Sequence, residues 1–267
     1  MLKRRPRLRT TTNPPDRPTR SAALLLAAAI LLFGPACGHA DPLAQPRRLE
    51  YRVAWNGIPA AAATVAVTGL DLAGHPGIEV EASARTNAVV DLFWSFRGTA
   101  TATFLADGVE PLRFIYERTM AGTPYLTSVD FADHQGGARS VSLKGHKRRE
   151  LALDETGLLD PITAVFRARL SGAKPGDRLR YEIFTGEARY RIQLTVGDAE
   201  TIDVPAGRFA ALRVIPEVWK IGGSAELDQR LRQATIWVAA DADRTLLRIR
   251  SEVFIGAVTL DLVKIDA

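Results

Sequence analysis

The side chains able to ligate a metal or move a proton are sparse and scattered. His75, His134 and His146 lie far apart. None belongs to an H-x-H, H-E-x-x-H or C-x-x-C pairing, so a metal site has no local support. Each stands near glycine or charged residues, as loop histidines do. Cys37 is the one cysteine, which rules out an intramolecular disulfide and a multi-cysteine zinc site. Asp241-Ala-Asp243 has the spacing of a carboxylate clamp. Set between strands and followed by Arg244, it reads instead as a turn, where aspartate is favoured. Acid–base carboxylate pairs need burial to split their pKa values, and strand alternation places Glu81 and Glu117 on wet faces with arginine neighbours. The sequence holds no G-x-S-x-G elbow, no P-loop and no G-x-G-x-x-G, and no cofactor is implied. A nucleophile and base distant in sequence stay open, with nothing pointing to one.

Charge narrows the partners. The chain of 267 residues has a formal net charge of +5, but the excess is local. Residues 1–40 hold seven bases (Lys3, Arg4, Arg5, Arg7, Arg9, Arg17, Arg20) and one acid, Asp16, which leaves 28 bases against 29 acids for residues 41–267. A nucleic-acid binder needs a basic footprint to neutralise phosphates, and the body lacks that excess. With 46% hydrophobic and 24% charged residues, the composition is that of an ordinary globular chain, not a disordered or fibrous one.

Residues 1–40 read as a signal peptide with a long basic n-region. Residues 22–33 are twelve uncharged residues; as a helix they span about 18 Å, short of the ~30 Å hydrocarbon core. Basic residues precede them and small ones follow, the order of a secretory leader. Arg4-Arg5 is followed by Pro6 and Arg7, unlike a twin-arginine signal. Two ends compete. Gly38-His39-Ala40 suits cleavage before Asp41, which is the preferred outcome and discards Cys37. Gly34-Pro35-Ala36-Cys37 resembles a lipoprotein box, which would acylate Cys37 and make a lipid anchor. Either way the protein is expected in the periplasm, with no transmembrane helix in the mature chain. Residues 41–47 form a linker.

Residues 48–266 read as one antiparallel β domain. Period-2 alternation dominates: Leu49, Tyr51, Val53 and Trp55 share a face, as do Ile78, Val80, Ala82 and Ala84, and Ala100, Ala102 and Phe104. Similar runs follow near residues 112–117, 125–131, 140–143, 179–184, 188–196, 209–218, 234–239, 245–254 and 257–265, linked by hairpin-length turns. Some twelve strands are too many to stay flat, so the sheet is expected to be strongly curved or barrel-like. Its core should include Tyr51, Val53, Trp55, Tyr181, Ile192, Leu194, Leu247, Ile249, Leu260 and Leu262. One helix packs on it. Asp160 caps it, Pro161 opens it, and Ile162, Val165, Phe166 and Leu170 supply the apolar face. A shorter helical or irregular stretch covers residues 87–94.

Two features bear on binding. Val89, Val90, Leu92, Phe93, Trp94 and Phe96 form the most apolar cluster of the body. They could line an acyl pocket or press on a membrane; the commoner role, and the expectation, is core that plugs one end of the sheet. Lys144, Lys147, Arg148 and Arg149 make a basic run suited to anionic lipid headgroups or acidic envelope polymer. With Glu150, Asp154 and Glu155 beside it, it is expected to be a solvated loop tip.

Several segments together carry a family resemblance: Tyr51-Arg-Val-Ala-Trp-Asn-Gly57, Leu159-Asp-Pro-Ile-Thr-Ala-Val-Phe-Arg167, Val204-Pro-Ala-Gly-Arg-Phe209 and Ile236-Trp-Val-Ala-Ala-Asp-Ala-Asp-Arg-Thr-Leu246. They resemble the exported bacterial family called domain of unknown function 3108, over most of residues 48–266. A looser likeness is to the lipoprotein-carrier fold, a curved sheet with a helix in its mouth. The resemblance implies fold and no catalytic residues, and fold does not fix function. The functional expectation is an exported, non-catalytic module that binds an apolar ligand or an envelope protein. Small residues at 60–63, 82, 84, 100 and 102 would leave room on the concave face. The alternative is an envelope hydrolase acting on glycan or lipid through carboxylates assembled by the fold.

Overall fold

In the computed structural model, the described residues are 47–131, 137–222, 234–253 and 255–266. Residues 1–40, read above as a signal peptide, with Cys37 among them, and His134 lie outside them. Eight strands come first: β1 Arg47–Trp55, β2 Ile58–Leu72, β3 His75–Thr86, β4 Phe96–Leu105, β5 Glu110–Met120, β6 Thr123–Asp130, β7 Ala138–Lys144 and β8 Lys147–Leu153. A four-residue helix, α1 Ala88–Asp91, sits between β3 and β4. Helix α2, Pro161–Leu170, then leads to β9 Arg178–Phe184, β10 Arg189–Val204, β11 Gly207–Ile221, β12 Ala234–Ala239, β13 Leu246–Glu252 and β14 Ala257–Asp266.

All fourteen strands form one antiparallel sheet in the order β8-β7-β6-β5-β4-β3-β2-β1-β14-β13-β12-β11-β10-β9. From β1 in mid-sheet the chain winds out to β8, crosses through α2 to the far edge, and winds back until β14 pairs with β1, Arg48 opposite Asp266. The crossing chain covers part of the β9 edge: Leu159 N donates to Glu182 O and Leu159 O accepts from Phe184 N, at 3.0 and 2.8 Å. Twisted strands in this number curl, and the two flanks meet. Ser140 Oγ on β7 donates to Gly186 O in the β9–β10 turn at 2.7 Å. Gly186 has φ +83°, and a Cβ there would lie 2.3 Å from Thr127 Cγ2 and 2.8 Å from Val129 Cγ2. Glycine is what allows this approach.

The alternating residues of β1 to β4 face the core, and so do Leu247, Ile249, Leu260 and Leu262. Phe96, Phe104, Phe166 and Phe184 are fully buried there, with the Phe104 and Phe166 rings 5.2 Å apart. Ala63, Ala82, Ala84, Ala100 and Ala102 are at most 5% exposed. The room expected above them is therefore covered by other side chains.

Three expectations about burial need correction. Tyr181, Ile192 and Leu194 are half-buried; they lie on β9 and β10, at the sheet's edge. Trp55 is exposed although Tyr51 and Val53 are buried, because it is the last residue of β1, beside the Asn56-Gly57 turn where the strand leaves the core. The β1–β2 ladder is irregular there, skipping Ala60 of β2, and Ala54 is buried too. Leu170 is also exposed, while Arg169 is buried.

Helix α2 closes one end of the curled sheet. Its cap is as read: Asp160 Oδ1 accepts from Ile162 N and Thr163 N at 2.8 and 3.0 Å. Arg167 Nη2 donates to Gly108 O and Val109 O in the β4–β5 turn, and Arg169 Nε donates to Asp243 O in the β12–β13 turn. The opposite end holds the β1–β2 turn, α1 and the turns after β5, β7, β9 and β13, as strict antiparallel winding requires.

Candidate functional site

The end remote from α2 gathers most of the exposed apolar surface. It begins at Asn56-Gly57, with φ +49° and +82°, the positive angles that a two-residue hairpin turn requires. Asn56 N donates to Ala257 O, Asn56 Oδ1 accepts from Ala257 N at 2.9 Å, and Trp55 Nε1 donates to Ile255 O at 2.8 Å. These bonds lock the β1–β2 turn to the β13–β14 turn and hold Trp55, Ile58 and Ile255 side by side at the tip.

Helix α1 is fixed next to them. Asn87 Oδ1 accepts from Val90 N, and Asn87 Nδ2 donates to Pro59 O at 2.6 Å. Trp94 stacks on buried Phe96 with centroids 5.8 Å apart and anchors the segment. Asp91 binds Arg97 and Thr86. Hydrogen bonds from Arg97 and then Thr86 hold its carboxyl down at about 2, so it stays ionised and neutralised. With its polar groups engaged inward, the segment presents Val89, Leu92 and Phe93 to solvent. The cluster read as core thus divides. Phe96 is core, Trp94 is half-buried, and Val89, Leu92 and Phe93 are exposed. The expectation of a plug is corrected for these three, because α1 lies outside the rim of the sheet.

Trp55, Ile58, Val89, Leu92, Phe93 and Ile255 are 46 to 88% exposed. Among the described residues only Leu170, Val263 and Ile265 are comparable, and all three lie toward the α2 end. The sequence reading placed Trp55 inside and passed over Ile58 and Ile255. Their signal was position: each stands beside a turn glycine, Gly57 or Gly256, where a strand leaves the core.

The basic run lies at this end too. It is not only a loop tip. Lys144 and Lys147 flank the β7–β8 turn, and Arg148 and Arg149 belong to the edge strand β8. All four are exposed; Arg148 pairs with Glu150 at 2.7 Å. Behind them Arg118 lies between the rings of Tyr116 and Tyr125, at 4.8 and 4.7 Å, and 3.7 Å from Glu187.

The groups suited to catalysis are dispersed. His75 starts β3 at the α2 end, and His146 lies in the β7–β8 turn at the other. Asp241 forms the turn read from sequence, its Oδ1 accepting from Asp243 N at 3.0 Å. Among the described residues three carboxyl groups are buried, each with a structural partner. Asp160 caps α2, Asp243 lies 3.9 Å from Arg47, and Asp261 accepts from Arg248 Nε at 2.5 Å. Burial lifts the Asp160 carboxyl to about 6, against the hydrogen bonds it accepts. Among the described residues no group of three or more His, Cys, Asp or Glu could hold a metal ion, and no helix is long and apolar enough to cross a membrane.

A family model described as a protein of unknown function, DUF3108, matches residues 50–263. Among solved structures, the chain is similar to a beta-barrel-like protein of domain of unknown function DUF1849 from Brucella abortus. The TM-score is 0.52 at 10% identity, over 84% of this chain and 98% of that one, which is a likeness of fold. Weaker matches are a protein described as exported, with a YmcC-like fold, from Bacteroides fragilis NCTC 9343 (12% identity, 89% and 100% covered, TM-score 0.33) and one described as a lipoprotein from Parabacteroides distasonis ATCC 8503 (11% identity, 84% and 97% covered, TM-score 0.35). No curated protein matches the chain.

Proposed function

Since the chain belongs to the DUF3108 family, whose description assigns no activity, we propose from its own geometry that it is an exported, non-catalytic interaction module of the cell envelope. One observation carries this. Six large apolar side chains stand exposed together at one end of a molecule whose other large apolar side chains are, among the described residues, mostly covered. Exposed apolar surface gathered in one place marks an interaction site, whereas singly scattered side chains do not. Covered alanines on the inner face favour an external binding surface over an internal ligand. Export rests on the leader-like residues 1–40. The fixed turns and the Asn87 cap position the six side chains before any partner arrives, which lowers the ordering cost of association.

The test is site-specific photo-cross-linking in the native cell. A photoreactive residue in place of Phe93 is expected to give envelope adducts, and one in place of His75, at the α2 end, to give none. Mass spectrometry of the same isolated protein should find Asp41 or an acylated Cys37 as its first residue. Equal labelling at both positions, or none at 93, rejects the apolar end as the binding surface. An intact Met1 rejects export.

A further inference from the structure

We propose that the apolar end docks on the surface of an anionic lipid bilayer, with Leu92 and Phe93 entering the interface and the basic β7–β8 hairpin resting on headgroup phosphates. This deepens the reading of that end as the interaction surface and depends on it.

Shape is the first ground. Leu92 and Phe93 are 80 and 88% exposed, so they protrude rather than form a flat patch. A protein partner would need a preformed pocket for each. A fluid acyl layer encloses any protruding apolar side chain, and interfacial segments bury such residues about 5–10 Å deep. Side-chain type is the second. Phe93 and Leu92 suit the acyl boundary, and Trp55, with its indole N–H already bonded to Ile255 O, suits the headgroup level, where tryptophan is enriched.

Charge is the third ground. Around this end Asp91 is neutralised by Arg97, Glu187 lies against Arg118, and Glu150 pairs with Arg148. Glu252, at the end of β13, and Glu117, on β5 level with Arg148 across β6 and β7, are exposed acids with no such bond among the described ion pairs. Against them stand exposed Lys144, Lys147, Arg149, Lys220 and Arg85, the last directly across the ladder from Arg97. Basic residues next to an apolar tip are the pattern that anionic membranes attract. The chain beyond residue 40 is close to neutral, net −1 as counted from the sequence, so attraction to a negative surface comes from the local basic excess at this end rather than from the molecule's net charge.

The test is flotation with phosphatidylcholine vesicles and with phosphatidylcholine–phosphatidylglycerol vesicles, using the protein as isolated from its cell with one N-terminus throughout. The expected result is binding to the anionic vesicles, several-fold weaker on neutral ones and weakened by 0.5 M salt. Leu92→Ser/Phe93→Ser should lower binding at least tenfold, and Lys147→Glu/Arg149→Glu several-fold. Both pairs are solvent-exposed, and an unchanged urea midpoint checks their folding. A blue shift of tryptophan fluorescence on anionic vesicles should shrink in Trp55→Phe. Wild-type protein that ignores vesicles, or variants that bind as wild type does, overturn the proposal. A lipid-free dimer abolished by Leu92→Ser/Phe93→Ser, or protein adducts at position 93 without vesicle binding, also overturn it. Those last two outcomes leave the interaction end standing with a different occupant; absence of any adduct removes both.

Discussion

At the scale of single residues, Asp160 and Gly186 combine close packing with unusual demands. Burial raises the Asp160 carboxyl from 3.8 to about 6. A carboxyl raised in the folded state holds its proton more tightly there than in the unfolded chain. Its contribution to stability therefore falls as pH rises from about 4 to 6, and the full cost is present above 6. Two units correspond to on the order of 3 kcal/mol. Asparagine keeps the capping acceptor and does not titrate. Urea unfolding from pH 4 to 7 should therefore show wild-type stability falling relative to Asp160→Asn by about 2–3 kcal/mol; parallel curves would exclude the shift. Gly186 is tested against Gly122, which has φ +79° and nothing within 4 Å of an added methyl. Gly122→Ala should cost only the left-handed strain, ~1 kcal/mol. Gly186→Ala adds the collision with Thr127 and Val129 and should cost ~3 kcal/mol or more, with equal midpoints counting against the seam.

Helix α2 shows how much of an element its sequence reveals. Cap and start were both legible, because Asp160-Pro161 is a strong local signal that needs no tertiary context. The buried face was legible only in part. At ~100° per residue, Leu170 lies about 80° from Ile162 around the axis and Arg169 only about 20°. Geometry therefore favours Arg169 for the buried side, and hydropathy favours Leu170. Geometry wins because the Asp243 carbonyl receives the guanidinium, which answers the cost of burying it. Phe166→Ala should lose ~3–5 kcal/mol in urea unfolding, and Leu170→Ala less than about 0.5; similar losses would mean that the helix packs on another face. Strand β8 was missed for a related reason. Exposed along its first four residues, it buries almost nothing, so Lys147-Arg-Arg-Glu150 has no apolar period to read. The apolar end was half legible. Val89, Leu92 and Phe93 were singled out, though as core, while Trp55 was placed inside and Ile58 and Ile255 were passed over. Their exposure depends on α1 lying outside the rim and on where β1, β2 and β14 meet the turns at the tip, which spacing alone does not contain.

At the scale of the whole molecule, an antiparallel curled sheet followed from alternation and strand count, while the strand order did not. No local pattern says that β14 will return to β1. That pairing joins residues as far apart as Arg48 and Asp266, and long-range pairing slows folding. The same feature makes the fold a ring in connectivity. The first and last strands are adjacent and antiparallel at the α2 end, and the sheet's two outer strands, β8 and β9, are successive strands in the chain. A short hairpin loop from Asp266 to Arg47, with new termini between Thr156 and Gly157, would turn the domain into a plain meander that runs α2, β9 to β14, then β1 to β8. Every ladder would then join consecutive strands. The contact between Gly186 and Ser140 would become the distant one, so closing the seam would replace the meeting of first and last strands as the slow event. Such a circular permutant should refold faster than the natural order in stopped-flow experiments with its structure retained; an unchanged rate would show that the β1–β14 pairing does not limit folding.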